Sequence, residues 1–533
     1  MSASSGMLGT QITHTPDAQY FSWYHGLVAI LLLLLLPYLA SQSLSGQTPD
    51  AQQLPLVTKR RFWEISDLRL KIDFYLNGRR TLEKALEELP GKPFQMIGDT
   101  GHVIILPPEY ANEIRNSPHL DFSKVVAKFV TADIPGFEGF RSGLNDIPAV
   151  LDICKIHLTR ELSKTLEPLP QECGLAVHEI FPDARAWEKL VIKEKINLLV
   201  ARMSARVFLG EELCRNPAWL RIAISHIFTG FIAAFCLRLF PSFLRPLAHW
   251  FIPHCRRLRV QVKEARELVR NTIEKRQAER MQDMRQGAEP REYNDGIAWC
   301  EKLTKVYNFD VVDMQLGLSI ASVHNTTDLI SQVIYDLAAH PGMVERLRQE
   351  FVEVLGKGAW SKASLYNLKL LDSVIKESQR LKPISVLAMR REATSTVILN
   401  DGTILPKGSI LGVSAHSMRD PAIYPEPNKF VGDRFLKMRQ QPGSENVAQL
   451  VTTGPDHLAW GHGNHACPGR FFAAAEIKIV LVYLLLKYDF RVVKGEEPKV
   501  RVFGYALESD PAAKIEIRRR IEEIDLSSIG WKS

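Results

Sequence analysis

The chain has 533 residues, 46% hydrophobic and 24% charged, a balance that excludes a disordered polypeptide and leaves ample apolar material for a large core. Its formal net charge of +7 is small for this length, and its basic residues are interleaved with acids, as between Arg256 and Arg280, so nothing points to nucleic acid as a partner. Seven cysteines, scattered and without a Cys-x-x-Cys pair, exclude a disulfide framework and a zinc ribbon and fit a reducing compartment.

From the amino terminus, no Asp, Glu, Lys or Arg occurs between Asp17 and Asp50, and Gly26 to Ala40 is almost continuously aliphatic. With Phe21, Trp23 and Tyr24 as an interfacial belt, the stretch approaches the roughly 20 residues that cross a bilayer. No cation precedes it, which argues against a cleaved signal peptide, and the first basic cluster, Lys59, Arg60 and Arg61, places the remaining chain on the cytoplasmic side. The expected organisation is a short lumenal terminus over 1–19, a transmembrane anchor over 20–40, a tether over 41–60 and a catalytic body over 61–533.

Within the body, Met96 to Pro107 reads as a small hairpin, and Val397 to Leu411 repeats the pattern around an Asn400-Asp401-Gly402 turn. Helical periodicity runs through Val191 to Leu209, Leu258 to Gln282, Val311 to Ala339, Met343 to Leu355, Leu365 to Leu381 and Arg470 to Lys487. Ile227 to Pro253 is apolar but interrupted by Arg238, Pro241, Arg245 and Pro246, so it reads as a surface helix-loop-helix that either touches a membrane, roofs an apolar pocket or packs into the core. The fold class is mainly α, one large helix-rich domain with a small β-rich subdomain behind an amino-terminal anchor.

Three stretches carry chemistry. The helix beginning at Val311 is apolar except for the island Ser322-Val323-His324-Asn325-Thr326-Thr327, where Thr326 is expected to bond back to the Ser322 carbonyl, loosen the helix and open a groove. Glu377 and Arg380, three residues apart on one helix face, can pair and together engage a third group. In the loop from Trp460 to Arg470, glycines at 461, 463 and 469 allow backbone to approach a flat ligand, and Cys467 sits just before a helix amino terminus, where free amides favour a thiolate.

The aromatic-x-x-Gly-x-x-x-Cys-x-Gly pattern from Trp460 to Gly469 resembles the haem-binding signature of the cytochrome P-450 superfamily, with Trp460 where Phe is commoner. Pro427 to Phe435 is similar to that family's Pro-x-x-Phe-x-x-x-Arg-Phe loop, and the polar island matches its distal-helix motif except that Val323 and Asn325 replace the glycine and the acid. The Ala-x-x-His-x-Thr-Thr variant is similar to filamentous-fungal members that oxidise diterpenoid, indole-terpenoid and meroterpenoid skeletons.

The resemblance implies haem b with Cys467 as thiolate ligand to the iron and Trp460 as a wall of the cofactor site. Arg434 would join Glu377 and Arg380 in a buried scaffold. His465 and Arg391 would serve as propionate partners, and His157 and Arg160 are further candidates whose simpler reading is a solvated helix face. Thr326 would assist protonation beside Asn325, which cannot itself supply a proton, so Thr326→Ala is expected to waste reducing equivalents as peroxide; His324 reads as a packing or hydrogen-bonding residue. A basic face around the loop, with Arg470, would dock the reductase. The implied activity is monooxygenation of an apolar small molecule at the endoplasmic-reticulum membrane, with electrons from an NADPH-dependent P-450 reductase or a b-type cytochrome. Two other readings stay open on the residues alone, a haem-thiolate isomerase or dehydratase that needs no reductase and a membrane-tethered binder of apolar ligands.

Overall fold

The computed structural model of the chain describes residues 54–532, apart from 65, 66, 239, 241 and 357. The anchor and most of the tether lie outside the described residues. The end of the tether is already part of the body: Gln95 donates its amide to the Pro55 carbonyl (2.9 Å) and accepts from the Val57 amide (3.0 Å).

The body is mainly helical, organised around one long helix, Val311–Ala338. Asp310 caps it by accepting from the amides of Val312 and Asp313, which satisfies donors the first turn leaves free. Its core-facing side chains, Leu316, Ile330, Val333, Ile334 and Leu337 among them, join a cluster with Ile192–Phe208 and with Arg470–Lys487, whose length is almost wholly buried. We call Val311–Ala338 the distal helix. Pro217–Arg238, long and apolar enough to cross a membrane, is 56% buried against the rest of the molecule and lies over the distal helix; we call it the roof helix.

The main sheet has five strands in the order Phe94–Gly98, Gly101–Leu106, Ile410–Ser414, Leu387–Ala393, Leu120–Asp121. The Met96 hairpin closes at Gly98 and Gly101, where a φ of 107° at Gly101 makes the turn. The second hairpin is shorter than its pattern: Val397–Ile398 pairs with Ile404–Leu405, while Ile410 onward leaves it to run parallel to Gly101–Leu106 in the main sheet. The helix expected over Leu365 to Leu381 breaks at Leu368, because Glu350 reaches in and accepts the amides of Leu370 (2.6 Å) and Leu371 (3.0 Å), giving a second helix, Lys369–Leu381, its own start. Between the roof helix and Pro253–Arg285, the Ile227 to Pro253 stretch holds a half-turn at Ser242–Leu244 and a single helical turn at Arg245–Ala248.

Candidate active site

Glu377 and Arg380 do share a helix face, and the loop carrying Arg434 folds onto them. Arg380 donates twice to Glu377, Nε to Oε2 at 2.8 Å and Nη2 to Oε1 at 2.9 Å, and Arg434 Nε donates to both carboxylate oxygens at 3.0 and 3.1 Å. The remaining guanidinium hydrogens reach carbonyls: Arg380 Nη1 those of Met418 (2.7 Å) and Pro427 (2.8 Å), Arg434 Nη1 that of Pro425 (2.6 Å). Two buried cations on one buried anion are tolerable only because these carbonyl dipoles complete the shell. This network pins the Met418 to Arg434 segment to the Lys369–Leu381 helix.

The Cys467 loop is a tight cradle. Gly461 and Gly463 hold φ of 71° and 77°, and a Cβ on Gly463 would collide with the Arg115 backbone and side chain at 2.5 Å. The Cys467 amide donates to the Trp460 carbonyl (2.8 Å), and the Trp460 indole donates to the Leu450 carbonyl (2.9 Å), so the aromatic wall is fixed. The Cys467 sulfur accepts the amides of Gly469 and Arg470, yet burial outweighs them and pushes its thiol up. A metal cation directly on this sulfur would favour its thiolate form. Cys467 is largely enclosed by protein and keeps some accessible surface.

The residues near Cys467 fit a haem. Arg391 is only 3% exposed, its Nη1 donates to the Arg390 carbonyl (2.8 Å), its Nη2 is buried without a partner, and burial holds its pKa down to about 10. A buried guanidinium with an idle fork calls for a carboxylate, which a propionate supplies. His465 is exposed beside it and is held below the ordinary histidine value by burial and by the Arg391 charge. His157, by contrast, stacks flat on Trp299 at 4.3 Å and lies 2.9 Å from Glu161, and Arg160 is exposed. Arg470 is half-buried, its Nε donating to the Val451 carbonyl (3.0 Å) and its Nη1 to the Cys467 carbonyl (2.9 Å).

The distal helix runs unbroken through its polar island, and the expected back-bond from Thr326 to Ser322 is not formed. The bond occurs one turn later, Ser331 Oγ to the Thr327 carbonyl at 2.7 Å. Ala321 and Asn325, one turn apart, are the exposed positions, whereas Thr326 is 4% exposed and Thr327 is turned to Asn197 (3.4 Å). Each residue advances the helix by about 100°, so a face centred on 321 and 325 leaves Thr326 pointing well to one side. His324 packs edge-on against Phe228 at 4.6 Å and donates to the Ile224 carbonyl; its Nε2 is buried without a partner, and burial lowers its pKa to about 4, which keeps it neutral.

The roof is aromatic. Phe228, Phe231 and Phe235, at helical spacing, touch His324, Phe129 and Phe140, and Tyr75 respectively, while each keeps exposed surface. Sequence reasoning missed two supports. Asn112 and Asn116 brace the cysteine loop, by contacts from Asn112 Oδ1 to His462 (3.0 Å) and from the Asn464 amide to Asn116 Oδ1 (3.0 Å). One turn beyond His324, Asp328 is held by Lys382, by Lys193 at 3.0 Å and by the Ser509 amide at 2.8 Å, which ties the carboxy-terminal segment to the distal helix.

Comparison with known proteins agrees with this geometry. The family model described as Cytochrome P450 matches residues 89–512. Cytochrome P450 monooxygenase 1 of Gibberella fujikuroi is 47% identical over 437 residues, covering 82% of this chain and 99% of its own length. The cytochrome P450 monooxygenase hepE of Aspergillus oryzae is 42% identical, covering 89% of this chain and 87% of its own. Among solved structures, retinoic acid-bound cyanobacterial CYP120A1 is similar in fold, with a TM-score of 0.62 at 18% identity, covering 84% of this chain and 96% of that one.

Proposed function

Because the chain belongs to the cytochrome P450 family, and is therefore a haem-thiolate monooxygenase, we propose that Cys467 is the cysteine ligating its iron and that its substrate is an apolar terpenoid, indole-terpenoid or meroterpenoid skeleton of fungal secondary metabolism. The observation that carries this reading is the glycine cradle that holds Cys467 just before the Arg470–Lys487 helix, with the buried, idle guanidinium of Arg391 close to His465. When bound, haem supplies the activation of dioxygen, with thiolate donation favouring cleavage of the O–O bond.

The chain's own residues do the rest. Trp460 and the glycine cradle would seat the cofactor edge, Arg391 with His465 would answer its carboxylates, and Phe228, Phe231 and Phe235 would hold the substrate and exclude water. Electrons come from an NADPH-dependent P-450 reductase, with a b-type cytochrome as a second donor.

The site is held at the endoplasmic-reticulum membrane by the 20–40 anchor. Supporting membrane contact, Phe243, Leu247, Trp250 and Phe251 project from the loop after the roof helix, Phe251 at 79% exposure, within a stretch from Leu213 to Lys263 that contains no Asp or Glu.

The test is reconstitution of the full chain with reductase in vesicles under isotopically labelled dioxygen, fed with candidate apolar intermediates. The expected product carries one labelled oxygen and requires NADPH and reductase. Product formed without NADPH, reductase or dioxygen would contradict the proposal.

A further inference from the structure

We propose that Arg238 and Arg390, gathered on Asp99 beside the Tyr505 hydroxyl, form a binding site for a carboxylate of the substrate, which is then a terpenoid-type acid and not a plain hydrocarbon. The inference rests on the proposed function for the apolar skeleton and adds a charged end to it.

Segments far apart in sequence meet here. Asp99 stands in the turn between Phe94–Gly98 and Gly101–Leu106, Arg238 ends the roof helix, Arg390 lies in the Leu387–Ala393 strand, and Tyr505 joins Arg501–Phe503 to Ala506–Glu508. The strand is irregular at this point. Met389 holds a φ of 48°, and the register with Ile410–Ser414 shifts between Ala388 and Arg391, an irregularity of the kind that re-aims side chains. Tyr75 ties the group together, stacking on Phe503 at 4.5 Å, meeting Phe235 edge-on at 6.0 Å, and sensing the charges of Arg238, Asp99 and Arg390. Tyr505 senses Arg390 and Asp99, and a Cβ on Gly98, the residue before Asp99, would stand 3.8 Å from its hydroxyl.

The charges do not close on one another. Arg238 Nη1 is 4.0 Å from Asp99 Oδ2 and Arg390 Nη2 is 3.5 Å from Oδ1, against roughly 2.7–2.9 Å for a direct charged pair. Arg238 Nη1, Arg390 Nε and the Tyr505 hydroxyl are all buried without a hydrogen-bond partner. Glu377 also serves two guanidiniums, but at 2.8 to 3.1 Å and with carbonyls taking their other hydrogens. Among the described residues no carbonyl does this for Arg238 or Arg390.

A second carboxylate completes the arrangement. It balances two cations that now share one anion, and it accepts from both guanidiniums and from the phenol. The rest of the ligand is apolar, because rings beside the charges are open: Phe235, three residues before Arg238 and so on the same helix face, is 43% exposed, and Phe503 is 61% exposed. Arg391, the next residue along the strand, is the one that answers the haem carboxylates, so substrate and cofactor acids are received by consecutive residues. A charged hydrogen bond of this kind is worth roughly ten- to a hundredfold in affinity.

The experiment uses the full-length holoenzyme in phosphatidylcholine nanodiscs at pH 7.5 and two matched pairs of probes, abietic acid against abietinol and farnesoic acid against farnesol. Binding is read by equilibrium dialysis with empty nanodiscs as reference, and by the Soret shift. The wild-type protein is expected to bind each acid at least about tenfold more tightly than its alcohol. Arg238→Met and Arg390→Met are each expected to weaken the acids about tenfold or more and leave the alcohols in place. Should a methionine variant fail to load haem, the corresponding glutamine variant, which keeps a donor without the charge, replaces it with the same expectation. Asp99→Asn, which removes the competing anion, is expected to tighten the acids by about threefold, whereas a purely structural clamp would loosen or ignore them. Equal affinity for acid and alcohol in the wild type, an undiminished preference in the arginine variants, or acids bound no more tightly by Asp99→Asn would overturn this inference alone. Failure of the wild type to bind any of the four would overturn the terpenoid reading and this inference with it.

Discussion

The Glu377 scaffold and the polar island of the distal helix are built on opposite terms. Beneath the cysteine loop, the Glu377 carboxylate is saturated by Arg380, Arg434 and the Val431 amide, and the arginines spend their other hydrogens on carbonyls. In the distal helix, by contrast, the polar island leaves Asn325 exposed and His324 with an idle, buried Nε2. A closed network fixes geometry and tolerates little change. An open polar group adds little to the fold and can be changed at small cost.

The largest effect is expected from opening the closed side. Glu377→Ala leaves two buried guanidiniums uncompensated, a loss of about 3–5 kcal/mol. Denaturant unfolding and haem content should both collapse, and a variant that unfolds and loads haem like the wild type would show that this network is not what holds the loop.

A second group in the closed half sharpens the contrast through pH. Glu476, on the helix after Cys467, is fully buried, accepts from Ser204 Oγ at 3.0 Å, has an unpartnered Oε2, and is pushed by burial from its ordinary 4.5 up to about 8. A carboxyl whose folded pKa is raised favours folding most when both states are protonated, so this contribution is full below pH 4.5 and is lost as pH rises to about 8. At pH 7 the cost approaches roughly 3 kcal/mol, and Glu476→Gln is expected to recover part of it. Unfolding followed from pH 5 to 8 should show a falling curve for the wild type and a flatter one for the variant; parallel curves would mean that Glu476 is ionised in the fold.

The smallest effect is expected at Thr326. Because its side chain is packed away from the open face, Thr326→Ala should cost about 1 kcal/mol of stability and leave the ratio of product to NADPH within about twofold of wild type. Peroxide released at the expense of product would instead put the Thr326 hydroxyl in the proton path and break the contrast between the two regions.

Legibility in the sequence divides along the same line. The Glu377, Arg380 and Arg434 scaffold, the cysteine cradle and the span of the distal helix were legible because each is written in local spacing: three residues on a helix, glycines around a turn, a long apolar period. Rotation of the distal helix about its axis was not. Whether Asn325 or Thr326 is the exposed residue depends on how the roof helix and Ile192–Phe208 pack against the distal helix, which periodicity alone does not give. The Asn112 and Asn116 braces were invisible because about 350 residues separate them from the loop they support. The break at Leu368 was hidden for a similar reason, since Glu350, a residue of the preceding helix, causes it.

The central claim, that Cys467 holds the iron of a haem-thiolate monooxygenase, is tested most directly by the spectrum of the reduced carbon-monoxide complex. The full-length protein should show the red-shifted Soret band of thiolate ligation, and Cys467→Ala should abolish it. Survival of that band in the variant would mean that another residue ligates the iron.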